Sequence, residues 1–88
     1  MDAYLIHFSQ PFGHAQHYIG ITRKGRATER LAEHQSGRGA VLCRHASAAG
    51  VALTLAKVWP NVPRFFELKL KARGGARRIC PICQGNQP

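Results

Sequence analysis

Acidic residues are scarce in this chain. Asp2, Glu29, Glu33 and Glu67 are the only four among 88 residues, against thirteen Lys and Arg, for a formal net charge of +9. So few carboxylates leave a short list of ligands for any metal site built on one. The positive excess attracts polyanions over a Debye length, and nucleic acid is the commonest polyanion. It marks a partner and not an activity, because a passive binder carries the same excess. Cysteine is also sparse: three residues, an odd number, argue against a complete disulfide framework. No apolar run approaches the roughly 20 residues of a membrane span, and the amino terminus has no basic-then-apolar layout. The expectation is a soluble, cytoplasmic protein without a membrane partner. A chain of 88 residues has room for one modest core, so residues 1–88 are read as a single domain with a basic tail over about 73–88.

Residues 3–9, "AYLIHFS", alternate, with Tyr4, Ile6 and Phe8 on one face and Leu5 and His7 on the other. Pro11 and Gly13 mark a turn. "HYIGIT" (17–22) alternates again, placing Tyr18, Gly20 and Thr22 opposite His17, Ile19 and Ile21. Two such strands most simply form an antiparallel hairpin. We read "HYIGIT" as a central strand. A strand-interior glycine is a bulge, or a place where a ligand or an opposing helix approaches the backbone.

From Arg26 the period becomes helical: "RATERLAEHQSG" aligns Ala27, Leu31 and Gln35, with Arg30 and His34 one turn apart. Thr22 or Thr28 is the expected cap and Gly37 the stop. "GAVLCRHASAAG" reads as a second short helix closed by Gly50. "VALTLAKVW" is apolar on both faces and is therefore placed centrally in the sheet. "VPRFFELKLKARGG" fits both a strand and a helix; Pro63 and Gly74–Gly75 favour the helix. "ARRICPICQGNQP" reads as loop. The order β-β-α-α-β-α gives an α/β (α+β) domain with a small three-stranded antiparallel sheet flanked by helices.

Cys80 and Cys83, in "CPIC", have the spacing of half a zinc site. No second CxxC or HxxxH pair completes it, and Cys43 stands alone. A tight Pro-containing turn with reduced thiols is preferred over structural Zn2+ at Cys80/Cys83.

An ordered set of residues runs through these elements: Tyr4 in "AYLIHFS", Tyr18-Ile19-Gly20, Arg30 in "ERL", His34 a turn later, Glu67 in "FFELKLK" and Asn86 in "CQGN". In that order the chain resembles the GIY-YIG nuclease superfamily over nearly its whole length. The first triplet here is "AYL", so only its tyrosine carries over. The resemblance implies a metal-dependent endonuclease that hydrolyses DNA phosphodiester bonds. It makes Tyr4 the base, Tyr18 the orienting group and Glu67 the ligand of one Mg2+ or Mn2+. Arg30, His34 and Asn86 complete the implied catalytic set.

The chemistry is consistent with those residue types. Hydrolysis needs an activated water, a counter-charge for the phosphate and stabilisation of the leaving oxygen. Magnesium keeps several waters and needs few protein ligands. Guanidinium donates two parallel hydrogen bonds to phosphate, and nearby cations favour a phenolate able to pass its proton towards His34 or solvent. Each residue also has a plainer role. Glu67 pairs with Lys71 or Arg64, Arg30 with Glu33 or Glu29, the tyrosines are amphipathic strand residues, and His34 is a surface histidine. His7, His14, His17 and His45 receive no catalytic role. Gly20, Arg23, Lys24, Arg26, Arg38, Lys69 and Lys71, with Arg44, Arg73, Arg77 and Arg78, are the expected nucleic-acid contacts. Backbone contacts of this kind are sequence-blind, so the expectation is weak sequence preference, selectivity for structure or a targeting partner, with double-strand breaks pointing to a homodimer or sequential nicking. The alternatives are a non-catalytic nucleic-acid-binding module of the same fold and a zinc-stabilised interaction protein.

Overall fold

The computed structural model describes residues 1–85. Asn86 lies outside the described residues. The elements run β1 (Asp2–Phe12), β2 (Ala15–Thr22), α1 (Ala27–Gln35), α2 (Val41–Ala48), β3 (Leu53–Trp59), α3 (Phe66–Arg73) and α4 (Ala76–Ile79). The three strands form one antiparallel sheet in the order β2-β1-β3. The fold is α+β, and the expected element order holds up to α3. The segment read as loop adds the short α4. Among the described residues, no helix is long and apolar enough to cross a membrane.

Both strands expected at the centre lie at the edges. β1 is the central strand, and its residues from Asp2 to Ile6 are all buried. The reading of β3 failed for a specific reason. Its pairing with β1 shifts between Leu5↔Lys57 and Ile6↔Leu55, which leaves Ala56 as an extra residue. Such a bulge reverses the alternation. Leu53, Leu55 and Val58 therefore join the core around Tyr4, Ile6 and Phe8, while Ala56 and Trp59 join the opposite face. A phase change within one edge strand thus produced a pattern that resembles two buried faces.

The sheet separates two small cores. On one face, α1 and α2 cover Tyr4, Ile6, Phe8 and Tyr18 with Ala27, Leu31, Cys43 and Ala46. On the other, Leu70, Phe66, Ile79, Cys80 and Ile82 cover Ala3, Leu5 and Ile19. α1 has no side-chain cap; Arg26 occupies the capping position, so neither Thr22 nor Thr28 serves there. Gly37, at φ 84, takes the left-handed conformation expected after the helix end.

Asp2 ties the loops at the sheet's end. The Gly25 N–H donates to its Oδ2 at 2.9 Å and the Asn61 N–H to its Oδ1 at 3.2 Å. These two backbone donors, Gly25's first, hold the carboxyl below its ordinary range. An Asp2→Ala variant is expected to unfold at lower urea than wild type at pH 7. Because the folded-state pKa is depressed, that difference stays constant above the unfolded value of about 4 and shrinks as pH falls through the folded value. Urea midpoints of both proteins between pH 7 and pH 3 test this.

Candidate functional site

Strand pairing brings the two tyrosines to one face. Tyr4 pairs with Gly20 and Ile6 with Tyr18, so alternation points Tyr4 and Tyr18 the same way. α1 crosses above them, and its inward stripe is Ala27, Leu31 and His34. The three rings cluster, with centroids 6.3 Å apart for Tyr4–Tyr18, 5.9 Å for Tyr4–His34 and 5.1 Å for Tyr18–His34. His34 is fully buried and Tyr4 is 1% exposed. His34 is therefore a core residue, contrary to its plainer reading as surface.

The His34 tautomer follows from its partners. The Ala40 N–H donates to Nδ1 at 3.0 Å, so Nδ1 carries a lone pair. In the neutral ring the proton then sits on Nε2, which lies 2.9 Å from the Tyr4 hydroxyl and donates to it. Burial, and then the Arg30 charge, hold the imidazole below its ordinary pKa. Neither nitrogen has a lone pair left to take a proton. The expected proton transfer towards His34 is therefore closed. Its role is to position Tyr4 and to donate to its oxygen.

Both phenols titrate above the ordinary range, opposite to the expectation that cations would lower them. For Tyr4, burial outweighs the nearby Arg30 guanidinium, which favours the phenolate. Tyr18 is pushed up to about 12, first by burial and then by Tyr4. Arg30 opposes the rise at both tyrosines, and the Glu67 charge adds to it at both.

Two glycines make room for the hydrogen-bonded pair. A Cβ at Gly20 would overlap the Tyr4 ring and hydroxyl, and one at Gly39 would overlap the His34 imidazole. Gly20 is buried against its cross-strand partner, so the neighbour that requires a glycine there is Tyr4 and not nucleic acid or a helix.

Of the four acids, three have close partners. Asp2 holds two backbone amides, Glu29 pairs with Arg26, and Glu33 pairs with Arg30 at 2.6 Å. Among the described residues Glu67 has only Lys71 as an ion-pair partner, at 3.7 Å, and its side chain keeps 21% of its exposure. Glu67 is thus the least committed carboxylate, in the first turn of α3 where the helix dipole favours negative charge. A cleft of about 430 Å³ beside β2 is lined by Tyr18, Leu42, Lys71 and Gly74 among others. Arg23, Lys24, Arg26, Arg38, Lys69 and Lys71 are all exposed. Lys69 sits over the Phe65 ring, 5.4 Å from its centroid.

One group escaped the sequence reading. His7, His17, Cys80 and Cys83 each turn one ligand atom into a region where all four lie within 4.8 Å of one another, an arrangement able to hold a metal. The CPIC cysteines meet a histidine pair across the hairpin, and the only local signal for that meeting was the expectation of the hairpin.

Gly39→Ala must displace the His34 ring and is expected to destabilise the fold by about 1–3 kcal/mol, measured by urea unfolding. Alkaline titration of the native protein gives a second check. The chain has two tyrosines, so tyrosinate absorbance should stay low at pH 10 and rise only above it; a half-titration at pH 10 contradicts the burial described. No family model, curated protein or solved structure matches this chain.

Proposed function

We propose that this protein is a metal-dependent endonuclease of the GIY-YIG type, acting on DNA. The reading is carried by one observation: the rings of Tyr4, Tyr18 and His34 cluster on one sheet face, with the Arg30 guanidinium beside Tyr4. A strand tyrosine pair held by a neutral histidine is costly to build into a core this small, and stability alone would be served by apolar residues of similar size.

Arg30 and Tyr18 are the partly exposed members of the cluster, so a phosphate meets it through them. One terminal nitrogen of Arg30 is engaged by Glu33, which holds the guanidinium and would leave other donors for a phosphate. Tyr4 accepts from His34 Nε2–H, so its own proton is not committed to that bond. On losing that proton its oxygen keeps the His34 donor and the nearby Arg30 charge, the two features that favour phenolate. The resemblance assigns Tyr4 as the base, acting as phenolate once its own proton has passed to solvent against the opposing effect of burial, and Tyr18 as the group that orients water or phosphate. Glu67 would hold the divalent ion, magnesium or manganese, and an ion bound there supplies positive charge for the phosphate and the leaving oxygen. The exposed basic residues track the backbone without reading bases.

Conversion of supercoiled plasmid to nicked circles tests the reading, with magnesium added or withheld. Wild type is expected to nick only with magnesium, Glu67→Ala to lose activity, and Tyr4→Phe to slow by at least about 100-fold. Nicking by Glu67→Ala at the wild-type rate would sink the assignment. Retardation of DNA in a gel without nicking by any protein would favour the binding module instead.

A further inference from the structure

The opposite face of the hairpin carries a second constellation. His7 and His17 are cross-strand partners, one on β1 and one on β2, pointing away from the Tyr4 cluster. Cys80 and Cys83 come from the turn after α4, where the Gln84 N–H donates to the Cys80 carbonyl at 3.1 Å. Their ligand atoms converge closely. His7 Nδ1 lies 3.4 Å from His17 Nε2, 3.5 Å from Cys80 Sγ and 3.6 Å from Cys83 Sγ. Cys83 Sγ lies 3.3 Å from His17 Nε2.

Direct hydrogen bonding does not account for this arrangement. His7 Nδ1 offers one proton or one lone pair, and it faces three heteroatoms at once. A central cation satisfies all of them. With Zn–S near 2.3 Å and Zn–N near 2.05 Å, a tetrahedral ion separates nitrogen from sulfur by about 3.6 Å and nitrogen from nitrogen by about 3.3 Å. The four separations fall within about 0.3 Å of those edges.

We propose that His7, His17, Cys80 and Cys83 form a closed structural zinc site that fastens the carboxy-terminal segment to the back of the hairpin. Two thiolates and two imidazoles in a tetrahedral array select zinc over the hard, oxygen-seeking ions. Four protein ligands leave no open position, which makes the site structural and not catalytic. Two thiolates cancel the charge of the ion, so the centre can lie against the apolar core of Leu5, Ile19 and Ile82. The need for it follows from size: that face is covered by one eight-residue helix and one four-residue helix. A metal clip joining residues 7 and 17 to 80 and 83 closes a long loop where the apolar cover is thin. The site requires nothing of the phosphodiester chemistry on the other face.

The test is elemental analysis of the full chain, purified reduced and without chelator. About one zinc per chain is expected, and cobalt substitution should give the intense visible bands of a tetrahedral ion together with thiolate charge-transfer bands. Cys83→Ala and His17→Ala should each lose stoichiometric zinc, while Cys43→Ala keeps it. The proposal is overturned if the reduced protein neither contains zinc nor takes it up when zinc is added. It is also overturned if both ligand variants retain a full equivalent. Should the variants fail to fold, the wild-type cobalt spectrum still decides, because a pale octahedral spectrum without thiolate bands excludes the site. No DNA enters these measurements, so their outcome is separate from that of the nicking assay.

Discussion

The hydrogen bond between Tyr4 and His34 constrains the surrounding structure more than any other single contact. It joins the central strand to α1 inside the core, where an unpartnered hydroxyl or imidazole would cost roughly 1–3 kcal/mol. Its geometry requires the Ala40 amide on the far side of the imidazole and an absent side chain at both Gly20 and Gly39. The surface ion pairs are weaker constraints. Arg26–Glu29, with both side chains about half exposed, contributes at most about 1 kcal/mol. The same bond sets the polarity of the pair, because a neutral histidine with its proton on Nε2 donates to the Tyr4 oxygen.

Strand alternation divides the hairpin's labour. Successive residues on β1 and β2 point to opposite faces, so one register places Tyr4, Tyr18 and Gly20 under α1 and His7 and His17 under the tail. A slip of one residue would exchange the two sets and destroy both. The faces differ in chemistry as well as position. The α1 side combines phenols, a neutral imidazole and a guanidinium. The tail side combines two imidazoles with two thiols, which suits a soft divalent ion.

Much of the fold was legible. The hairpin, the two short helices, the third strand and the helix carrying Glu67 follow from alternation, from 3.6-residue spacing and from glycine and proline positions. The candidate residues were legible as types in an order, and Tyr4, Tyr18, Arg30 and His34 do gather on one face. Their interactions were not legible. The sign of the tyrosine shifts depends on burial outweighing Arg30, which needs the depth of the rings. The exclusion of His34 from proton transfer depends on an amide six residues away. Both edge strands were placed centrally, one because a bulge at Ala56 changes the phase of its pattern.

The sequence by itself determined the quantities that are local along the chain: the three strands and the helices α1 to α3, the excess of positive charge, the shortage of carboxylates and the spacing of Cys80 and Cys83. These depend on backbone sterics and side-chain type within a few residues. Tertiary structure alone decided the strand order, the tautomer of His34, the neighbour that demands glycine at position 20, and the pairing of Cys80 and Cys83 with His7 and His17. Each of these rests on register or contact between residues 6 to 76 positions apart. At such separations, packing of the whole sheet selects the partner, and no local periodicity records the choice.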